Sequence, residues 1–139
     1  MRQGLIRVPT MVALVGAAGL AMLIPAAKAF SDGQAPVGRA FLYWALLCLL
    51  AAVLVAIAGA SSTRRPGAQG PFVLLATVYL AVPAVMALPL AEALPAMRFV
   101  DAWFEMISSF TTTGATLIDL PRRTPQAVHL WRAMAGWAG

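Results

Sequence analysis

The residues best suited to chemistry form one short polar stretch, Thr111-Thr112-Thr113-Gly114, within a largely apolar sequence. Three consecutive β-branched residues disfavour a helix and favour extended backbone. Gly114 reaches conformations that other residues adopt only with strain. We therefore expect an extended strip whose carbonyl and hydroxyl oxygens have no internal partner. Oxygens presented in this way bind dehydrated alkali cations.

A half-length helix is predicted immediately before this strip. Residues 99–110 span 12 positions, about 18 Å as a helix, whereas a bilayer core about 30 Å thick needs roughly 20 residues. Such a length is typical of core, interfacial or re-entrant helices. Asp101 and Glu105 lie four apart on one face in its first half, where acidic groups suit the positive end of the helix dipole. The negative C-terminal end would favour a cation at the strip.

Three uncharged runs precede the half-helix and predict the elements that position it. Residues 40–60 and 71–91 each contain 21 uncharged residues, enough for a membrane span. Pro83 and Pro89 predict a kink in the second of these, with neighbouring helices satisfying the freed carbonyls. Residues 11–27 form a shorter run of 17 uncharged residues. Its basic flank and small-residue end are also typical of a cleaved signal peptide.

The overall composition indicates an all-α polytopic membrane protein. Of the 139 residues, 61% are apolar and 11% charged, against about 25% charged in an ordinary soluble domain. Ten Lys and Arg residues against five Asp and Glu give a net charge of +5. These basic residues are scattered near the ends of apolar runs, which suits anchoring in a bilayer better than binding nucleic acid. A single cysteine, Cys48, makes no disulfide within the chain.

The basic flanks favour a cytoplasmic N-terminus. Four arginines would then lie inside, against two basic residues, Lys28 and Arg39, outside. The four arginines are Arg2, Arg7, Arg64 and Arg65. Three further arginines on the outer side, Arg98, Arg122 and Arg123, reduce this bias. We expect Arg122 and Arg123 to point away from any cation pathway, because they would repel the ion.

The segment around the strip is similar to a known family. Residues 99–116 closely resemble the first pore-loop segment of TrkH-type potassium transporters, within the Trk/Ktr/HKT superfamily. Their sequence is Phe-Val-Asp-Ala-Trp-Phe-Glu-Met-Ile-Ser-Ser-Phe-Thr-Thr-Thr-Gly-Ala-Thr. Residues 120–125 and 129–139 resemble the following loop and the start of the next family helix. Before residue 99 the resemblance is one of pattern, two preliminary helices and a third that contains proline.

The resemblance implies a channel-like architecture. Family members fold four helix–pore loop–helix repeats around one pathway, and TrkH-type members add two helices before the first repeat. Residues 1–68 would be that two-helix region, which favours a retained first helix, and residues 69–139 would be the first repeat, truncated in its second helix. The carbonyls of residues 111–114 would face potassium as a selectivity filter, with Asp101 and Glu105 supporting the pore helix.

The resemblance also implies partners and a location. Potassium would be the transported ion, with no cofactor, and the full-length protein would be a homodimer in the inner cell membrane with a cytoplasmic nucleotide-binding regulatory subunit. One strip cannot surround an ion, so we expect the chain to be the N-terminal fragment of a longer transporter. Two alternatives stay open: sodium or mixed sodium and potassium permeation, and a small non-transporting membrane subunit.

The remaining polar residues do not indicate catalysis. No nucleophile–base pair, pair of catalytic carboxylates, Walker loop or dinucleotide fingerprint occurs in the sequence, so we predict that the protein is not an enzyme. His129 is the only histidine, and a resident metal site needs several ligands. Arg132 lies in the apolar start of a helix and needs a partner there. Glu105 and Asp119 are the candidates, with a surface position as the alternative.

Overall fold

The computed structural model describes residues 10–60, 71–118 and 124–139 and folds them into helices without a strand. The helices are α1 (Thr10–Ser31), α2 (Ala35–Ala60), α3 (Pro71–Ala93), α4 (Phe99–Phe110) and α5 (Gln126–Ala138). The segments Thr10–Ser31, Ala35–Gly59 and Leu75–Ala93 are long and apolar enough to cross a membrane. The prediction of an all-α polytopic membrane protein is therefore confirmed. Several residues named above lie outside the described ranges: Arg2, Arg7, Arg64, Arg65, Asp119, Arg122 and Arg123.

Helices α1 and α2 form a tight antiparallel hairpin. The end of α1 is a Schellman motif, in which Gly33 has φ +72° and its N–H donates to the carbonyl of Phe30. Along the hairpin the two backbones approach closely at Gly19. A Cβ added there would lie 3.1 Å from the carbonyl oxygen of Ala45 and 3.1 Å from the Cβ of Cys48. Small residues allow membrane helices to pack at this distance, where dispersion contacts stabilise the pair.

Helix α1 is longer than residues 11–27, the run predicted from hydrophobicity. It continues to Ser31 because Lys28, in its last turn, forms an ion pair with Asp32 and so does not interrupt the helix. Met22 and Ala26 are buried where α1 packs on the rest of the chain. This packing supports the interpretation as a retained helix, which stays a prediction. The proposed boundary between residues 68 and 69 falls within 61–70, outside the described residues.

The order of the helices places the half-length α4 at one end of the assembly. Because α1, α2 and α3 cross one after another, the α1–α2 turn and the α3–α4 connection lie at the same end of the bundle. The start of α1 lies at the opposite end. A hydrogen bond of 2.6 Å from Trp44 Nε1 to Glu92 Oε2 joins α2 to α3 near that end. Helix α4 runs back from there beside α3. Its 12 residues cover about 18 Å, roughly half of the hydrocarbon core.

Helix α5 completes the core. Trp131 is fully buried, and its ring meets Phe41 of α2 edge to face at 5.8 Å between centroids. Its indole N–H donates to the carbonyl of Met86 in α3 at 3.0 Å. Met86 precedes Pro89 by three residues, in the turn where the missing proline N–H weakens the helical ladder. A neighbouring helix therefore supplies a donor to this turn, at the carbonyl next to that of Val85, which Pro89 leaves without its helical partner. That neighbouring helices satisfy the freed carbonyls themselves stays a prediction.

Candidate functional site

Helix α4 ends at Phe110, where the sequence predicted, and the turn that follows is well defined. The N–H of Thr112 donates to the carbonyl of Ser109 at 3.0 Å, and the N–H of Thr113 donates to the carbonyl of Ser108 at 2.9 Å. This pair of bonds is a Schellman motif, like the one at the end of α1. Thr112 stands in the left-handed position with φ +54°, where glycine is usual.

The conformation of the threonines corrects two expectations. Thr111 (φ −88°, ψ 6°) and Thr112 form a turn, and the non-helical strip begins only at Thr113. All three hydroxyls also have internal partners, because the Schellman turn folds them back onto the helix end. Thr111 Oγ1 donates to the carbonyl of Ile107 at 2.8 Å and lies 2.8 Å from Thr113 Oγ1. Thr112 Oγ1 donates to the carbonyl of Thr111 at 2.7 Å.

The oxygens of the strip that remain without a hydrogen bond are backbone carbonyls. The carbonyls of Thr112, Thr113 and Gly114 accept no hydrogen bond from any residue in the described ranges, and all three residues are exposed. Gly114 has φ +78°, and a Cβ there would meet nothing within 4 Å, so backbone conformation alone accounts for glycine. Of the four carbonyls predicted for residues 111–114, three are thus unpaired among the described residues, and the carbonyl of Thr111 accepts from Thr112 Oγ1. Their role as an ion site stays a prediction.

Ser108 anchors the strip to the helix that precedes it. Its hydroxyl donates to the carbonyl of Ala115 at 2.7 Å, and its own carbonyl accepts from the N–H of Thr113 and, at 3.4 Å, from the N–H of Gly114. The side chain is buried at 4% exposure. Sequence reasoning did not single out Ser108, and its position in the last turn of the half-helix is the signal that could have done so.

Glu105 binds the residues that directly follow the strip. Its carboxylate is fully buried, and Oε1 accepts from Thr116 Oγ1 at 2.8 Å and from the N–H of Leu117. Oε2 lies 2.9 Å from Arg132 Nη2 of α5, an ion pair whose atoms are not aligned as a hydrogen bond. Of the two partners predicted for Arg132, the structure shows Glu105. One side chain of α4 thus joins the strip to α5.

Asp101, the other acidic residue predicted to support α4, has a different environment. Its carboxylate pairs with Arg98 at the start of the helix, with Arg98 Nε 3.1 Å from Asp101 Oδ2, and it makes no hydrogen bond to the strip. The hydrogen bond from Arg98 holds the pKa of Asp101 below its ordinary value. Both groups face solvent, so this pair has little effect on stability.

Helix α5 packs directly against the end of α4. A Cβ added to Gly136 would lie 3.2 Å from the carbonyl oxygen of Ser109, and one added to Gly139 would overlap the carbonyl of Phe110. Glycine at both positions lets the backbone of α5 approach the last turn of α4. The strip is therefore held at both ends. Glu105 bonds the residues that follow it, and α5 packs against the last turn of α4, which precedes it.

The chemical feature of this arrangement is unpaired backbone oxygen at the C-terminal end of a helix. Three carbonyl oxygens lie at the C-terminal end of a half-length helix, whose dipole favours positive charge there. Among the described residues no group of three or more His, Cys, Asp or Glu side chains could hold a metal ion. A carbonyl row of this kind binds an alkali cation when further oxygens complete the shell.

Comparison with known proteins identifies two relatives over about half of the chain. An uncharacterized cation transporter from Methanocaldococcus jannaschii is 34% identical over 64 residues, which are 46% of this chain and 14% of that protein. The Trk system potassium uptake protein TrkI from Halomonas elongata is 31% identical over 68 residues, 49% of this chain and 14% of that protein. The chain thus spans a small part of the length of these relatives. No protein-family model and no solved structure matches it.

Proposed function

We propose that this chain takes part in potassium transport across a membrane. Its similarity to part of a cation transporter and of a Trk system potassium uptake protein supports this and agrees with the resemblance seen in its sequence. The chain would act as the N-terminal part of a longer transporter, contributing one strip of the selectivity filter. The observation that carries this proposal is the row of unpaired carbonyls at Thr112, Thr113 and Gly114, at the end of a half-length helix.

The physical argument is one of unpaired oxygens inside a bilayer. A backbone carbonyl without a partner in hydrocarbon costs several kcal/mol, so irregular backbone at that depth occurs where it lines a water-filled or ion-filled cavity. A dehydrated potassium ion supplies the missing interaction, and the carbonyls replace its hydration shell. A single strip leaves the shell incomplete, so strips from the other repeats of the full-length protein would complete it.

The location and partners belong to the same proposal. The protein would lie in the inner cell membrane with its N-terminus in the cytoplasm, so that α4 enters from the outer face. The full-length protein would act as a homodimer with a cytoplasmic nucleotide-binding regulatory subunit. The three membrane-length helices support the membrane location, and the similarity to Trk-type transporters motivates the rest.

The test is complementation of a bacterium that lacks potassium uptake, with the full-length gene carrying Gly114→Asp. Gly114 has φ +78° and its carbonyl lies in the strip, so aspartate there both strains the backbone and adds a charge beside the ion. Gly33→Asp is the matched control, because Gly33 has φ +72° with open space around it but lies in the α1–α2 turn. We expect growth at low potassium to be lost with Gly114→Asp and kept with Gly33→Asp.

Two results would count against the proposal. Growth that is unchanged by Gly114→Asp would exclude the filter role. A wild-type protein that restores no potassium uptake would favour sodium permeation or a non-transporting subunit, and uptake of labelled sodium in the same cells separates these two.

A further inference from the structure

Trp103 of α4 donates a hydrogen bond to a backbone carbonyl of α3, in the turn before Pro83. Its indole N–H donates to the carbonyl oxygen of Leu80 in α3 at 3.1 Å. Leu80 precedes Pro83 by three residues. Because Pro83 has no N–H, the carbonyl of Tyr79 loses its helical partner, and the proline ring crowds that carbonyl and opens the turn. The oxygen that accepts from Trp103 is the next one along the chain, that of Leu80, in the turn that the proline opens.

The same turn of α3 makes a second contact with α4, at the other end of the half-helix. The ring of Tyr79 meets the ring of Phe110 edge to face, at 5.4 Å between centroids and 72° between planes. Phe110 is the last residue of α4 and directly precedes the threonines. One turn of α3 therefore contacts both the first half and the end of α4, which restricts its depth and its rotation.

We propose that Trp103 is a positioning residue for the strip: its hydrogen bond in the Pro83 turn sets the depth at which the carbonyls of residues 112–114 meet the ion. This inference rests on the proposed function. A tryptophan prefers the membrane interface, where its N–H finds a polar partner. Leu80 lies near the middle of α3, within a segment long and apolar enough to cross a membrane. In a bilayer this carbonyl is the polar partner of the indole, so the bond keeps α4 from shifting toward the interface.

The test compares two Trp→Phe variants of the full-length protein. Trp103→Phe removes the N–H that reaches Leu80, whereas Trp44→Phe removes an equivalent N–H that reaches Glu92, away from α4. Measured hydrogen bonds between membrane helices imply that Trp103→Phe lowers the apparent potassium affinity by roughly three- to fifteen-fold. The maximal uptake rate and the amount of protein in the membrane stay near wild type. Trp44→Phe leaves the affinity unchanged.

An unchanged affinity in Trp103→Phe, or an equal loss in Trp44→Phe, would overturn the inference. Pro83→Ala provides a second, independent test. It restores the N–H that bonds the carbonyl of Tyr79 and closes the opened turn, so the neighbouring carbonyl of Leu80 becomes less accessible to Trp103. The double variant Trp103→Phe/Pro83→Ala should then lose no more affinity than the worse single variant. Additive losses would show that Trp103 and the Pro83 turn act separately and would refute the positioning role.

The failure of the proposed function would be visible separately, as a wild-type protein that takes up no potassium. The positioning contact is then judged from thermal unfolding of the wild type, the two single variants and the double variant. Losses of stability that are less than additive support the contact between Trp103 and the Pro83 turn, and additive losses refute it.

Discussion

Replacing Glu105 by glutamine should destabilise the protein far more than the same change four residues earlier in α4. Glu105 is fully buried and bonds both Thr116 and Leu117, and its second oxygen faces Arg132. Glutamine keeps one acceptor oxygen for the strip, but it removes the negative charge beside Arg132. The Nε of Arg132 is buried without a hydrogen bond to any described residue, so the remaining guanidinium charge is poorly compensated.

The magnitude follows from the burial of the two partners. Breaking a buried ion pair by removing one partner costs about 3–5 kcal/mol. The side chain of Arg132 keeps 20% exposure while that of Glu105 has none, which places the expected loss near the lower end, about 3 kcal/mol. The double variant Glu105→Gln/Arg132→Met removes the stranded charge as well and should recover most of this loss, because uncharged pairs of similar volume replace buried ion pairs well.

The assay is unfolding of the full-length protein in mixed micelles, with Asp101→Asn as the control. That control makes the same chemical change on the same helix, but its partner Arg98 has 81% exposure, so we expect no measurable loss of stability. If Glu105→Gln were no worse than Asp101→Asn, or if the double variant were no better than Glu105→Gln, the assignment of Glu105 as the link between the strip and α5 would be refuted.

Three further predictions concern other contacts. Gly19→Leu should lower the free energy of unfolding by about 1–3 kcal/mol, because the added atoms overlap the backbone of α2; Gly59→Leu, in open space, should not, and equal losses in thermal unfolding would contradict this. Ser108→Ala removes the hydroxyl that anchors the strip, so the apparent potassium affinity should fall by about fivefold in uptake assays, and no change would argue against the anchor. Arg98→Gln should raise the pKa of Asp101 toward its ordinary value in an NMR titration. Because the pair lowers that pKa in the folded state, its small stabilisation is present above the ordinary value and is lost as the pH falls through the lowered one. A pKa that does not move in the variant would contradict the pairing.

The elements themselves could be predicted because their signals are local. The uncharged runs predicted the three long helices. The 12-residue segment before the β-branched threonines predicted α4 with the bounds that the structure shows. The errors in these predictions lay at the ends of helices. Helix α1 extends past Lys28 because a neighbouring carboxylate pairs with it, and α2 begins at Ala35 since the tight turn at Gly33 leaves no room for a longer loop.

The details of the site depended on contacts that the sequence does not specify. The β-branched character of the threonines predicted that the helix would stop, but the left-handed conformation of Thr112 follows from the bonds to Ser108 and Ser109. Arg132 lies 27 positions from Glu105 along the chain, and only the packing of α5 beside α4 chooses this partner. The bond from Trp103 to a backbone oxygen near Pro83 likewise arises from the placement of two helices.

The most direct test of the account is to locate rubidium or thallium ions by anomalous scattering in a structure of the full-length protein. The account predicts a peak in direct contact with the carbonyl oxygens of Thr112, Thr113 and Gly114, weakened by potassium in the same buffer. A pathway occupied by ions elsewhere, with these three carbonyls facing lipid or protein, would contradict it.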